Sequence, residues 1–130
     1  MSTHCLIGRK VDKNKVEYIY CHHDGYLEGV GLTLKHHYVS TDKIDSLMKL
    51  GNLSGLGPIP ESSPDQWDNK RIDFNICSAY KDRGEKGTES SFMPLEDYLN
   101  EPTDMIRYIY LWDGKEWRYS DLAGGPLRKI

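Results

Sequence analysis

Apolar and polar positions alternate at both ends of this chain and fall at helical spacing between them. Residues 3–10 and 15–22 are rich in Ile, Val and Tyr and flank a polar tip, Asp12-Lys13-Asn14. That pattern predicts two strands joined as a hairpin by a three-residue loop, with Asn14 in the left-handed position. One register places Arg9 opposite Glu17, Ile7 opposite Ile19 and Cys5 opposite Cys21. It matches a charge pair and an apolar pair at once. One face then carries Cys5, Ile7, Ile19 and Cys21, and the other His4, Leu6, Tyr18, Tyr20 and His22. Both faces have the character of an inner, largely buried strand pair.

After Asp24-Gly25, a turn signal, the apolar positions change period. Leu27, Val30, Gly31, Leu34 and Tyr38 form one helical stripe. Gly29 and Gly31 each weaken such a helix by about 1 kcal/mol relative to Ala. They therefore need a reason: close packing on the sheet, or approach of a ligand to the backbone. Ser40 or Thr41 caps a second helix over residues 42–50, with Ile44, Leu47 and Met48 inward and Gly51 as its stop. Residues 51–70, punctuated by Gly and Pro, form a long loop of the functional or mobile kind, anchored by Trp67.

Residues 71–80 alternate, with Ile72, Phe74 and Ile76 on one face, and predict a strand with one wet side. Residues 81–91 read as an exposed loop. A short helix over 94–100 starts at Pro94 and turns Leu95, Tyr98 and Leu99 inward. Asp113-Gly114 predicts a two-residue hairpin turn pairing Tyr110 with Trp117 and Tyr108 with Tyr119. One face of that hairpin carries Tyr108, Tyr110, Trp112, Trp117 and Tyr119. The sum is an α+β domain: a mostly antiparallel sheet of about five strands, with N-terminal and C-terminal hairpins and two or three helices packed on it.

Composition narrows the class. With 130 residues, 28% charged and 38% apolar, the chain predicts a single globular domain over 1–130. A net charge of -3 disfavours a bulk nucleic-acid coat, which would carry a basic excess. No apolar run reaches the roughly 18 residues of a membrane helix, and the N-terminal residues do not read as a secretory signal. Three cysteines without a Cys-x-x-Cys fit reduced thiols in a cytoplasm.

Chemistry concentrates between Tyr18 and Gly31. Cys21, His22, His23 and Asp24 adjoin one another there, and His36 and His37 follow one helix later. As a metal site the set is poor, because neighbours on a strand point to opposite faces, and neither a metal nor a cofactor is expected. Cys21 beside a histidine has the residue types of a thiol triad, but triad partners converge from different elements. Opposite Cys5 on an apolar face, Cys21 reads as an inert buried thiol. The aromatic hairpin is a second candidate: Tyr110, Trp112 and Trp117 as stacking surface for a base, Arg118 for a phosphate, or else core or interface. Neither Gly-spaced segment has the Lys-Ser/Thr of a phosphate loop, although the Gly29–Gly31 helix start offers backbone donors to an anion.

The Met1–Gly8 opening, the Tyr18–Tyr26 run and Gly29-Val30-Gly31 together resemble a family of small proteins from bacteriophages, prophages and related mobile elements. Leu34, His37-Tyr38, residues 50–54 and the late Tyr-x-Trp-Asp-Gly-x-x-Trp hairpin continue the likeness over most of the chain. The family commonly has Trp in place of His23 and Pro in place of Leu27. The resemblance carries no activity with it; it implies phage origin and the host-cell cytoplasm. Small accessory phage proteins often block host defence, some by sequestering nucleotide signals. The expected function is therefore non-enzymatic capture of a small anionic nucleotide-like ligand, or of a host defence protein, by a chain that can assemble as a homo-oligomer. The expected binding residues are His22, Asp24, Tyr26, Gly29, Gly31, His37, Tyr110, Trp112, Trp117 and Arg118. The alternatives are a small hydrolase or nucleotide-cleaving enzyme using His22, Asp24 and His37, and a phage structural or accessory protein.

Overall fold

The computed structural model describes residues 2–130. Its strands are β1 (Cys5–Asp12), β2 (Lys15–Cys21), β3 (Leu53–Gly55), β4 (Ser78–Ala79), β5 (Ser91–Pro94), β6 (Tyr108–Trp112), β7 (Trp117–Ser120) and β8 (Arg128–Lys129). The helices are α1 (Leu32–His37), α2 (Thr41–Leu50) and α3 (Leu95–Leu99). The strands form one sheet in the order β4-β3-β2-β1-β6-β7-β8, with β5 also paired to β2. The fold is α+β, as the pattern implied. The sheet is larger than expected, eight strands rather than about five, and mixed rather than mostly antiparallel. β1 runs parallel to β6, and β2 parallel to β3.

The N-terminal hairpin has the register read from the sequence: Cys5 faces Cys21, Ile7 faces Ile19 and Arg9 faces Glu17. Arg9 donates to Glu17 through Nε and Nη2 and also reaches Asp45 on α2. The tip differs. Asp12 pairs with Lys15, and the odd residue, Val11, is absorbed as a bulge. Asn14 is not left-handed, since Asp24 is the sole non-glycine with positive φ among the described residues. Instead the Asp12 carboxylate accepts from the Asn14 N–H at 2.9 Å, closing the turn from within.

Both faces of β1 and β2 are covered. Cys5, Ile7, Ile19 and Cys21 meet Val30, Leu34 and Tyr38, the α2 residues Ile44, Leu47 and Met48, and Tyr110, Trp112 and Trp117. On the other face Leu6, Val16, Ile109 and Leu111 surround Tyr98 of α3. Residues 5–8 are accordingly buried in succession, which suits a strand with a parallel neighbour and cover on both sides. α2 forms as expected, with Ser40 accepting from Lys43 N at its start and Gly51 at its end.

Three further local expectations fail. The C-terminal hairpin pairs Trp112 with Trp117 and Tyr110 with Tyr119, two residues away from the predicted register. Asp113 Oδ1 accepts from both Lys115 N and Glu116 N at 2.9 Å, so the loop holds four residues instead of two. A shift of two keeps the same side chains on the same face. Residues 71–80 are not one strand: Asp73 bonds Asn75 N at 2.9 Å, the chain turns repeatedly, and only Ser78–Ala79 pairs as a strand. Phe74, expected on a packed face, is 85% exposed. Within the expected 81–91 loop, β5 begins at Ser91 and adds to β2. No helix among the described residues is long and apolar enough to cross a membrane.

Candidate functional site: an open cleft beside the Asp24 turn

At the end of β2 the backbone turns through Asp24 at φ 58°, a conformation that Asp tolerates better than most residues. The turn is fixed on both sides. Gly25 N donates to Thr3 O at 2.8 Å and Val30 N to Asp24 O at 2.9 Å. The chain then enters a π-helical turn, Leu27–Gly31, which leads directly into α1. Gly29 belongs here because a Cβ at that position would lie 2.4 Å from Asp24 O. Gly31 is in turn covered by the Tyr110 ring, 3.2 Å from where a Cβ would be. Close approach of protein to protein accounts for both glycines.

His23, Asp24, Gly29, Val30 and Thr33 form one wall of a cleft of about 500 Å³. Residues 54–56 continue that lining beside His23, whose N–H donates to Ser54 O at 2.9 Å, and the stretch between Gln66 and Ser78 completes it. Gln66, 5% exposed, braces that stretch. Its Oε1 accepts from Asp73 N at 2.8 Å, and its Nε2 donates to Asp73 O at 2.9 Å and Ser78 Oγ at 3.3 Å. Trp67 anchors the loop as expected, donating from Nε1 to Ala79 O at 3.1 Å, with the Arg83 guanidinium 4.4 Å from its ring centroid. Ile72 and Phe74, both exposed, bring apolar surface to the cleft. A cleft of this size, with mixed walls, is of the kind that takes small organic ligands.

The structure separates the residues read from the sequence. Asp24 and Gly29 line the cleft. Gly31 lies under Tyr110, Tyr26 is 39% exposed, and His37 is exposed in the last turn of α1. His22 stacks on His4 at 4.2 Å between ring centroids, with its Nδ1 2.7 Å from the Tyr20 hydroxyl. Burial, then the neighbouring His4 and His23, holds the His22 imidazole below its ordinary value. Burial likewise pushes the Tyr20 hydroxyl up to about 12.

Tyr110, Trp112 and Trp117 are core residues beneath α1 and α2. Tyr110 donates its hydroxyl to Gly25 O and Trp117 its indole N–H to Tyr38 O, both at 2.7 Å. Arg118 is paired with Asp113 at 3.1 Å and Glu116 at 2.9 Å. These four residues do not meet the cleft. Cys21 and Cys5 are fully buried, and burial drives the Cys5 thiol well above its ordinary value. Among the described residues, no group of three or more His, Cys, Asp or Glu is placed to hold a metal ion.

The rest of the lining, including Ser54, Asn69 and Asp73, lies inside the Gly- and Pro-rich loop and the stretch that alternation reads as a strand. Its one sequence signal was the length of that loop. No family model matches this chain, and neither a curated protein nor a solved structure matches it.

Proposed function

We propose that the protein is a non-enzymatic binder that captures a small nucleotide-like molecule in the cleft beside Asp24. The observation that carries this reading is the pre-formed cleft of about 500 Å³, whose lining combines ring and apolar surface with the polar side chains of His23, Asp24 and Asn69. The loop behind it is braced by Gln66 and Trp67, so a ligand would not have to order it first. The hydrolytic alternative draws less support: of His22, Asp24 and His37, only Asp24 lines the cleft.

The resemblance of the Tyr18–Gly31 stretch to phage proteins supports a phage origin and action in the host cytoplasm. There, such a binder would act as an accessory protein that withdraws a signal from host defence. A second reading, capture of a host protein at the cleft mouth, is favoured by Phe74, 85% exposed on the loop that Gln66 braces.

Incubation with nucleosides, nucleotides and cyclic dinucleotides, followed by thermal melting and heat release, tests the proposal. Capture predicts a raised melting temperature and a ligand recovered intact. A recovered product of different mass would support the enzyme instead. No shift with any of these compounds would refute the small-ligand reading.

A further inference from the structure

We infer that the cleft recognises the uncharged, amino-bearing ring of a nucleoside and discriminates against its phosphates. This rests on the reading of the cleft as a ligand site and specifies what that site selects. Among the described residues, the charged groups along its walls are carboxylates, Asp24 and Asp73, and no Lys or Arg lines it. The arginines of the adjoining loops already have partners. Arg71 lies 3.3 Å from Asp65 and 3.7 Å from Asp68. Arg83 donates to Glu85 at 2.7 Å and lies over Trp67. Lys70 is exposed beside Arg71, outside the lining. Among the described residues His23 is the one basic side chain in the walls, and its Nδ1 sits 2.7 Å from Ser2 Oγ.

Among the described residues no guanidinium or ammonium offsets the like charge that a phosphate would face here. An ionised carboxylate only accepts hydrogen bonds, so it selects a ligand that donates, such as an exocyclic amine. The Asn69 amide can pair with a ring edge that both donates and accepts. Val30, Leu56 and Ile76 supply apolar surface for the ring. Base and sugar are then the recognised part, and any phosphate points to solvent.

Isothermal titration at pH 8 with adenosine, inosine and adenosine 5′-monophosphate tests this. Adenosine should bind at least about tenfold tighter than the monophosphate, a difference of about 1.4 kcal/mol. Inosine, which lacks the amine, should bind more weakly than adenosine. In Asp24→Asn the preference for adenosine over the monophosphate should shrink several-fold. Asn accepts the positive φ at position 24, so the turn is kept. Asp73→Asn should act in the same direction. A monophosphate bound as tightly as adenosine, or a ratio unchanged in both variants, would overturn the inference while leaving the cleft a ligand site. No binding of any nucleoside or nucleotide would overturn both.

Discussion

Tyr110→Phe is the substitution with the most to say about how the core positions the cleft. The Tyr110 side chain is fully buried and its hydroxyl donates to Gly25 O at 2.7 Å, one residue beyond the Asp24 turn. Phenylalanine keeps the ring, so the cover over Gly31 and the stacking on Tyr108 at 6.1 Å persist and no cavity opens. What changes is a buried carbonyl left without its donor. Such a loss costs about 1–3 kcal/mol, a visible fraction of the roughly 5–15 kcal/mol that stabilises a small domain. With a urea dependence of about 1–3 kcal/mol per molar, the unfolding midpoint should fall by roughly 1 M. Tyr108→Phe, at a half-buried position, is the matched control and should stay within about 0.5 kcal/mol. Amide exchange adds a local readout: the Gly25 and Val30 N–H groups, which tie down the turn, should exchange faster in Tyr110→Phe. A midpoint equal to that of the parent would refute the claim that this hydroxyl holds the turn in place.

Three further outcomes follow from the same geometry. Gly29→Ala would press a methyl group to within 2.4 Å of Asp24 O and should lower stability by about 1–3 kcal/mol in a thermal melt; an unchanged melt would show that the close approach is not needed. Gln66→Ala removes three hydrogen bonds to Asp73 and Ser78, so limited proteolysis should cut within 68–76 in the variant before the parent. Alkaline pH should destabilise the fold, because burial raises the Cys5 and Cys77 thiols and the Tyr38, Tyr98 and Tyr110 hydroxyls. Raised acids are protonated in both states at neutral pH. The unfolded chain loses those protons first, so stability should fall above about pH 8.5 as the thiols ionise and more steeply above about pH 10 as the tyrosines do. Chemical denaturation from pH 7 to 11 measures this, and a flat profile would contradict it.

The sequence was most readable where neighbours along the chain are also neighbours in space. The register of β1 on β2 and the inward residues of α2 followed from period and charge pairing alone. Where a side chain bonds its own backbone, periodicity misled. Asp113 lengthened a two-residue turn to four, and Asp73 with Gln66 broke an alternating run into turns. Strands β3, β4 and β8, of two or three residues, are too short to show a period. The continuous apolar runs of β1 and β6 suit strands covered on both faces, but nothing in either segment names the other as its parallel partner. Half of the cleft shared this fate. Asp24 and Gly29 stood out because one segment holds both, whereas Ser54, Asn69 and Asp73 come together only through the long loop. The aromatic hairpin was legible as a surface of rings, but period cannot tell a face covered by helices from a face open to ligand.

The placement of β1 between β2 and β6 also sets an order of events. Cys5 lies opposite Tyr108 and Arg9 opposite Trp112, so the central strand waits for nearly the whole chain before its second edge is paired. The β1–β2 hairpin is local and can form early. The parallel seam must close a very long loop, a feature of slow-folding topologies. During synthesis the apolar β1 edge stays open until the last hairpin leaves the ribosome, and an open edge of that kind invites pairing with another chain. A truncation after Asn100 should therefore yield aggregates rather than a smaller folded protein.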